Sequence, residues 1–334
     1  MNVSESNDEA PKPLTFTLLR LLSDGKFHSG QVLATQLRLS RTSVNNALQG
    51  VERYGLALHS VRGRGYRLVN PPQWLNAPAI RHGLGQAARF FTINILESAS
   101  SSNTLLMQQA RQGAPSGSVL AVEWQSAGRG RIGRAWHSAL GDALTFSLLW
   151  RFEGGLTSLS GLSLVVGLAL LHALRKLGIN DIGLKWPNDV LTSQGKLAGI
   201  LIEAHGDMLG PCVVVIGIGL NLHVSPELAS RIDQPASGLA QVSNELPERN
   251  GLLAALLAEL ADTLHVFAEQ GFKAMLAEWE RNHFYHGKQV TLVAPDGSQI
   301  TGVVRGVNEG GELCLITTQG ERVISVGELR LRGE

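Results

Sequence analysis

Residues 125–136 read QSAGRGRIGRAW, a stretch that interleaves three glycines with three arginines and closes on a tryptophan. Guanidinium groups at Arg129, Arg131 and Arg134 match phosphate and carboxylate oxygens through forked N–H donors. Glycines at 128, 130 and 133 let a backbone bend and come close to a ligand. Gly128 to Gly133 also spell G-x-G-x-x-G. That dinucleotide fingerprint needs a strand before it, a helix opening on its last glycine, and an acid about 20 residues on. "SVLAVEWQ" supplies the strand, but turn-like His137-Ser138 and Gly141-Asp142 follow, and Leu148 stands where the acid belongs. An ATP loop fails too, because Arg134 and Ala135 occupy the places of its lysine and Mg2+-binding hydroxyl. What remains is a flexible loop that wraps a phosphate, with a solvated basic loop as the bland alternative.

Three further stretches carry groups that bind or polarise. "ESASSSNTLLMQQA" offers Ser101, Ser102 and Asn103 just before a helix, where the serines could equally be plain N-caps. "GLKWPNDVLTSQGKLAGILIEA" runs from a strand through a Pro-Asn-Asp turn to a hairpin opened by Gly195-Lys196. Taken alone, Lys196 reads as a surface hairpin lysine. "CVVVIGIGLNLH" is an apolar strand with glycines at 217 and 219 before Asn221, and those glycines could be bulge positions.

The elements that must position these groups fall into three blocks, in a chain of 334 residues with 17% charged residues. That length suits two or three domains. "FTLLRLLSDG", "SGQVLATQL" with Ser29 as N-cap, and "SRTSVNNALQGVERYG" with Ser40 as N-cap and Gly55 past its end predict three helices. "LALHSVRGRGYRLV" follows as a hairpin tipped by Arg62, Gly63, Arg64 and Gly65. This is a winged helix-turn-helix, whose second motif helix turns its N-terminal residues to base edges. Ser40, Arg41, Thr42, Ser43, Asn45 and Asn46, with Arg62 and Arg64 of the wing, form the expected DNA face. Between Lys12 and Pro72 nine basic residues stand against two acidic ones, a net +7 on a chain whose total is +1. That asymmetry confines nucleic-acid contact to the N-terminal block, although winged helices also serve protein contacts. "NPPQW" at 70–74 reads as a linker. From Tyr285 on, short alternating strands separated by Asp296-Gly297, Glu309-Gly310-Gly311 and Gln319-Gly320 predict a small SH3-like barrel.

The expected fold class is therefore α+β. Residues 1–12 are expected as a disordered tail, 13–72 as the winged helix-turn-helix, 73–284 as a mixed-sheet catalytic domain, and 285–334 as the barrel. The opening "MNVSESNDEAPKP" has no signal-peptide pattern, and the longest apolar run, Leu162–Leu174, is short for a membrane span. Cys212 and Cys314 lack a C-x-x-C partner and read as buried small hydrophobes. Together these predict a cytoplasmic protein with no membrane partner.

"GRGRIGRAW", "KWPNDV", "GKLAGILIE" and "GIGLNL", in this order behind a winged helix, resemble the bifunctional biotin protein ligases that double as biotin operon repressors. The resemblance covers the chain beyond its tail. It implies that a biotin carboxylate attacks the α-phosphorus of ATP, giving biotinoyl-5'-AMP and pyrophosphate, and that a lysine of a biotin carboxyl carrier protein then displaces AMP. A carboxylate is already nucleophilic at neutral pH, so the first step needs positioning and cations rather than a Ser, Cys or His nucleophile.

On that resemblance Ser101, Ser102, Asn103 and Gln125 would hydrogen-bond the ureido ring and its surroundings. Gly128, Arg129, Gly130 and Arg131 would close over biotin, and Gly199 and Gly217 would flank its flat bicycle. Lys196 would bridge the biotin carboxylate and the α-phosphate, with Arg129, Arg131 and Lys185 sharing the catalytic charge. Arg131, Arg134, Trp136, Lys185, Asn188 and Asn221 would hold the nucleotide, Asp189 the Mg2+, and Arg330 or Arg332 would reach back from the barrel. The glycine-arginine loop becomes a cationic lid that orders on the adenylate. The resemblance further implies an adenylate-favoured homodimer on operator DNA, with "CVVVIGIGL" and the lid completing a sheet-edge or loop-mediated interface. Two departures stand out: Ile132 takes a loop position that is often basic, and "DQPASGLAQVS" lacks an aromatic to stack on adenine. Three rivals share these motifs: a ligase whose winged helix has lost its operator, a transcription factor that only senses the ligand, and a lipoate or octanoate ligase.

Overall fold

Serine capping opens two of the N-terminal helices as the sequence predicts. In the computed structural model, which describes residues 9–294 and 296–331, α1 (Pro13–Leu21), α2 (Gly30–Leu37) and α3 (Arg41–Leu48) form the helical part. Ser29 accepts from the Gln31 amide and Ser40 from the Ser43 amide. The third helix is shorter than expected. Gly50 turns into the left-handed region (φ 74°), a 3-10 turn spans Val51–Tyr54, and Gly55 repeats the conformation (φ 86°). Two glycines that take left-handed geometry without strain end the helix a turn early. The wing is β1 (Leu58–Val61) paired with β2 (Gly65–Leu68).

The proposed tail and linker are tied down where they are described. Tyr54 Oη donates to the Glu9 carbonyl at 2.9 Å, and Pro11 is buried; residues 1–8 lie outside the described part. Trp74 Nε1 donates to Ser23 Oγ at 2.7 Å beneath the Arg20 guanidinium. The winged-helix core runs on into Trp124 and Leu140. At the same junction Arg249 and Glu123 form a fully buried pair at 2.8 Å. Arg249 also donates to the carbonyls of Gln73 and Ala143, and Glu123 accepts from the Leu75 amide. Such a pair holds its geometry because each partner would be stranded without the other.

The central block is one seven-stranded sheet. In chain order it contributes α4 (Ala77–Leu84), β3 (Thr92–Ala99), α5 (Ser102–Arg111), β4 (Ser118–Gln125), β5 (Ala143–Phe152) and α6 (Leu162–Lys176). Then come β6 (Gly183–Lys185), β7 (Asp189–Thr192), β8 (Gly195–Gly206), β9 (Cys212–Asn221), α7 (Pro226–Ala229), α8 (Arg249–Gln270) and α9 (Leu276–Arg281). The strand order is β3-β4-β5-β9-β8-β7-β6. Only β3 and β4 pair in parallel, with α5 as their crossover; every other pair is antiparallel. One face packs on α6 and α8 through residues such as Phe146, Leu148, Ile216 and Ile218. The other packs on α5 through Leu106, Leu120, Val122, Leu149 and Val215. The α8 helix is long and apolar enough to cross a membrane by length and composition, but its leucines are buried in the main core.

Strand β9 lies between β5 and β8 and pairs with both along its length. A sheet-edge interface built on "CVVVIGIGL" is therefore ruled out, since the edges are β3 and β6. The last block is an SH3-like antiparallel sheet of β10 (Gln289–Val293), β11 (Gln299–Val307), β12 (Leu313–Thr317), β13 (Gly320–Ile324) and β14 (Glu328–Leu331), in the order β13-β12-β11-β10-β14. Its core residues Val290, Leu292, Val304 and Leu315 join the main core, and Trp186 Nε1 donates to the Gly311 carbonyl at 3.0 Å. Arg332 lies outside the described residues, and of Arg330 only the backbone pairing with Thr291 is described.

Candidate functional site

A cleft opens on the α5 face of the sheet, at the N-terminus of that helix, and encloses about 240 Å³. Its lining brings together Ser101, Ser102, Asn103, Gln125, Arg129, Gly130, Arg131, Arg134, Trp136, Lys185, Asn188, Asp189, Lys196, Gly199, Gly217 and Asn221. Of the residues expected at the small-molecule site, Gly128 stands just behind this lining. A Cβ there would sit 2.5 Å from the Trp136 carbonyl.

The floor is made of strands that carry no side chain where the cleft is deepest. Register runs unbroken through Gly217 and Gly219 against both neighbours, so neither is a bulge glycine. Their absent side chains make room. A Cβ at 217 would lie 2.3 Å from Asn103 Oδ1, and one at 219 would lie 2.4 Å from the Trp136 ring. Trp136 therefore lies against the sheet, and a Cβ on Gly199 would also meet its ring, at 3.4 Å.

The polar end of the cleft is anchored by α5. Ser101 is the N-cap, as the bland reading held, while Ser102 is placed elsewhere, with its hydroxyl 2.8 Å from that of Ser147. Gln125 Oε1 accepts from the Ser102 amide at 2.7 Å. Asn103 accepts from Ser147 at 2.6 Å and donates to Glu203 at 3.0 Å. Ser147 and Glu203 escape a reading of the sequence, because they sit in strand runs 44 and 100 positions along the chain from Asn103.

The cationic end is set by a strand irregularity. Between β7 and β8 the register shifts, so that Asp189 pairs with Gly199 while Leu191 pairs with Lys196. This bulge re-aims the Lys196 side chain onto the face of Asp189 and Gly199. Lys196 Nζ then lies 2.7 Å from the Asp189 carboxylate, with side chains 17% and 10% exposed. Its backbone is clamped by the Pro235 carbonyl and the Ser237 amide. Asn221, expected at the nucleotide, is buried and donates to the carbonyls of Lys196 and Ser237, so it braces the lysine. Lys185 is buried, with its ammonium 5.7 Å from the Tyr285 ring centre. Asn188 accepts from Arg131 at 3.3 Å and donates to the Ile200 carbonyl. Residues 231–236, which run into the stretch 233–243 that lacks an aromatic, border the cleft and bring Ile232 to it.

The glycine-arginine loop folds as a small hairpin over this cleft. Arg129 bridges Ala135, the Gly130 amide donates to the Arg134 carbonyl at 2.7 Å, and the Trp136 amide donates to the Gly128 carbonyl at 2.8 Å. Arg129 pairs with Glu203. Ile132 is 63% exposed in the left-handed region, at φ 53°, a conformation that β-branched residues adopt only under strain. Where the loop leaves the cleft, burial raises the Asp142 carboxyl above its ordinary range, against the opposing pull of His223.

The expected DNA face is only partly free. Arg41, Thr42, Asn45 and Asn46 are exposed on α3. Ser40 and Ser43 bond each other at 2.9 Å, so they shape the helix start. Asn45 accepts from Tyr66 of the wing at 3.1 Å, and the Arg64 guanidinium stacks 4.2 Å from the Phe27 ring centre.

A family model described as the biotin/lipoate A/B protein ligase family matches residues 95–221, and one described as an HTH domain matches residues 15–67. The bifunctional ligase/repressor BirA of Escherichia coli (strain K12) is 37% identical over 298 residues, which are 89% of this chain and 91% of that protein. The chain belongs to the bifunctional ligase/repressor family of biotin protein ligases. The biotin–[acetyl-CoA-carboxylase] ligase of Mycobacterium tuberculosis is 32% identical over 78% of this chain and 96% of its own. Among solved structures, the biotin protein ligase from Aquifex aeolicus in complex with biotin and ATP is 30% identical. It superposes with a TM-score of 0.62 over 72% of this chain and 98% of that one. The HTH match falls in the N-terminal block and the ligase match in the central sheet, so both lie in one polypeptide.

Proposed function

We infer that this chain is an ATP-dependent biotin protein ligase that also represses transcription. It joins biotin to AMP, passes the biotinoyl group to one lysine of a biotin carboxyl carrier protein, and binds operator DNA with the adenylate as co-repressor. The observation that carries the reading is a single cleft with a hydrogen-bonding niche at one end and a set of cations at the other, under a glycine-arginine loop. A nucleophile that is already an anion, attacking a polyanion, needs this arrangement and no activated hydroxyl or thiol.

In the first step a biotin carboxylate oxygen forms a bond to the α-phosphorus, and the bond from that phosphorus to the bridging oxygen breaks, releasing pyrophosphate. Lys196, aimed by the bulge and braced by Asn221, sits between the two anions and offsets their repulsion. Arg129, Arg131 and Arg134 from the loop and Lys185 from the floor neutralise the remaining oxygens. In the second step a neutral lysine amine of the carrier attacks the acyl carbon, the acyl–phosphate oxygen bond breaks, AMP departs, and the amine gives up a proton. Trp136 and the loop exclude water from the mixed anhydride in between.

Asp189 fits a Mg2+ site in part. Its buried Oδ1 has the Lys196 ion pair but no well-aligned hydrogen bond among the described residues, and no cluster of three or more metal-ligating side chains surrounds it. A single carboxylate completed by phosphate oxygens and water suits Mg2+. Bound there, the ion would supply further neutralisation of phosphate charge.

For the second activity, Arg41, Thr42, Asn45 and Asn46 of α3 would read bases and the wing arginines would contact backbone. One winged helix supplies a single reading helix, so a specific operator calls for two copies. The adenylate would favour a homodimer through the ordered loop, since β9 is not an edge. The protein works in the cytoplasm, where ATP and the carrier are found. The test is pyrophosphate release from ATP with biotin, lipoate or octanoate as the acid; release with biotin alone supports the reading.

A further inference from the structure

The segment that leads into the barrel is stitched to the catalytic sheet and brings an aromatic ring to one of the cleft's cations. Residues 282–284 run beside β6 through a parallel bridge between Leu184 and His283. The Leu184 amide donates to the Asn282 carbonyl at 2.8 Å, and the Phe284 amide donates to the Leu184 carbonyl at 2.7 Å. The residues that follow on each side, Lys185 and Tyr285, are thereby brought together. The Lys185 ammonium lies 5.7 Å from the Tyr285 ring centre, and the two residues are 9% and 5% exposed. The turn into β10 closes on the same tyrosine, with the Lys288 amide donating to the Tyr285 carbonyl at 3.0 Å. The Lys288 ammonium also approaches that ring, at 5.8 Å, but lies nearer the ring of Phe284, at 4.5 Å. Lys185 lines the cleft and Tyr285 does not, so the tyrosine reaches a ligand through the lysine.

Burial strips an ammonium of hydration and disfavours its charged form. Asp189, directly opposite Lys185 in the β6–β7 ladder and so on the same face, has its carboxylate paired with Lys196 at 2.7 Å. An aromatic face attracts a cation through its quadrupole, most strongly where water is excluded. It adds no negative charge that a phosphate would have to displace. We propose that Tyr285 is a positioning residue for the nucleotide, whose ring holds the charged Lys185 side chain on the cleft floor for phosphate oxygens. A ring with a weaker quadrupole lets that side chain turn away. A smaller fraction of molecules is then poised for ATP, and the apparent affinity falls by that fraction. Biotin, at the α5 end of the cleft, is indifferent to the change. The proposal rests on the reading of the cleft as an adenylating site.

Tyr285→Phe sets the baseline for the test, because it keeps the ring and drops the hydroxyl. Mono-, di- and trifluorinated phenylalanine at the same position then preserve the shape while draining the ring's negative face stepwise. Single-turnover formation of biotinoyl-AMP, with biotin saturating and ATP varied, reads the apparent ATP affinity of the full chain. That affinity is expected to fall with each fluorine and to be about tenfold weaker in the trifluorinated form, the scale of one buried cation–ring contact. The biotin dissociation constant, from calorimetry, should hold across the series. In a Lys185→Met background the series should be flat, since the ring has lost the ammonium that it presents to ATP. An ATP affinity that ignores fluorination overturns the proposal. So does a decline that persists in Lys185→Met, or one matched by an equal loss of biotin affinity, because either marks a merely structural role. No biotinoyl-AMP from wild type would overturn the adenylating reading itself, a result distinct from all of these.

Discussion

On the proposed mechanism Lys196 sits where two anions must meet, and its pair with Asp189 and its clamped backbone hold it there. Its motif made the residue legible in the sequence, but the bulge that aims it and the Asn221 brace did not announce themselves, because both depend on strand register. Lys196→Ala should slow adenylate formation by a factor on the order of hundreds, since losing one such contact raises a barrier by about 3–4 kcal/mol. Rapid-quench measurement of biotinoyl-AMP checks this, and a near-normal rate with unchanged ATP affinity contradicts it. Gly219 makes a second residue-scale case. Its spacing with Gly217 left a bulge open, which the unbroken register on both sides excludes, and Trp136 lies over the position instead. Gly219→Ala would put a methyl into that indole, so it should displace the ring at a cost of about 1–3 kcal/mol. The variant is expected to keep its far-ultraviolet circular dichroism but lose at least about tenfold in adenylate yield. Full activity would show that Trp136 does not need the sheet.

Among elements, the strands and caps were the most legible, because alternation and N-cap serines are local signals. The end of α3 and the stiffness of the 70–76 junction were not. The first turned on whether Gly50 continues a helix or breaks it, and the second on Arg249, 176 positions from its partner Gln73. The loop over the cleft is the element with most to reveal. It is glycine-rich, holds a strained Ile132, and contacts the floor through Arg129 and Arg131. Proteolysis within 126–136 should slow when biotin and ATP are both present, because ligand phosphates complete its contacts. Equal cleavage with and without ligands would end its role as a lid. At the end of α9, His283 stacks 4.6 Å from the Trp279 ring centre, with no hydrogen-bond partner for either ring nitrogen among the described residues. Burial, with His286 adding repulsion, lowers its pKa from 6.5 to about 3. The unfolded chain therefore binds a proton that the native state refuses, and this contribution to stability, complete above about 6.5, is lost progressively as pH falls towards 3. In urea unfolding at pH 7 and pH 5, His283→Phe should lose less stability than wild type, by up to about 2 kcal/mol. Identical losses would contradict this account of His283.

At the scale of the whole molecule, the order of blocks and the charge asymmetry were readable from the sequence. Their fusion into continuous cores was not, since it depends on contacts such as Tyr54 with Trp124 at 5.5 Å. That continuity gives the adenylate two outlets in one body, transfer to a carrier lysine or retention on DNA. Biotin with ATP should raise both the dimer fraction and the affinity for DNA upstream of the gene, and added carrier protein should reverse both. Sedimentation velocity combined with a DNA-binding assay reads the two together. A monomer that binds that DNA equally well without ligand would leave only the ligase. The ligase is the central claim, and its most direct test is pyrophosphate release by the purified chain. ATP with biotin should release about one pyrophosphate per protein in a burst, turn over steadily once a carrier domain is added, and fall to background when lipoate or octanoate replaces biotin. A burst with lipoate or octanoate and none with biotin would contradict the account.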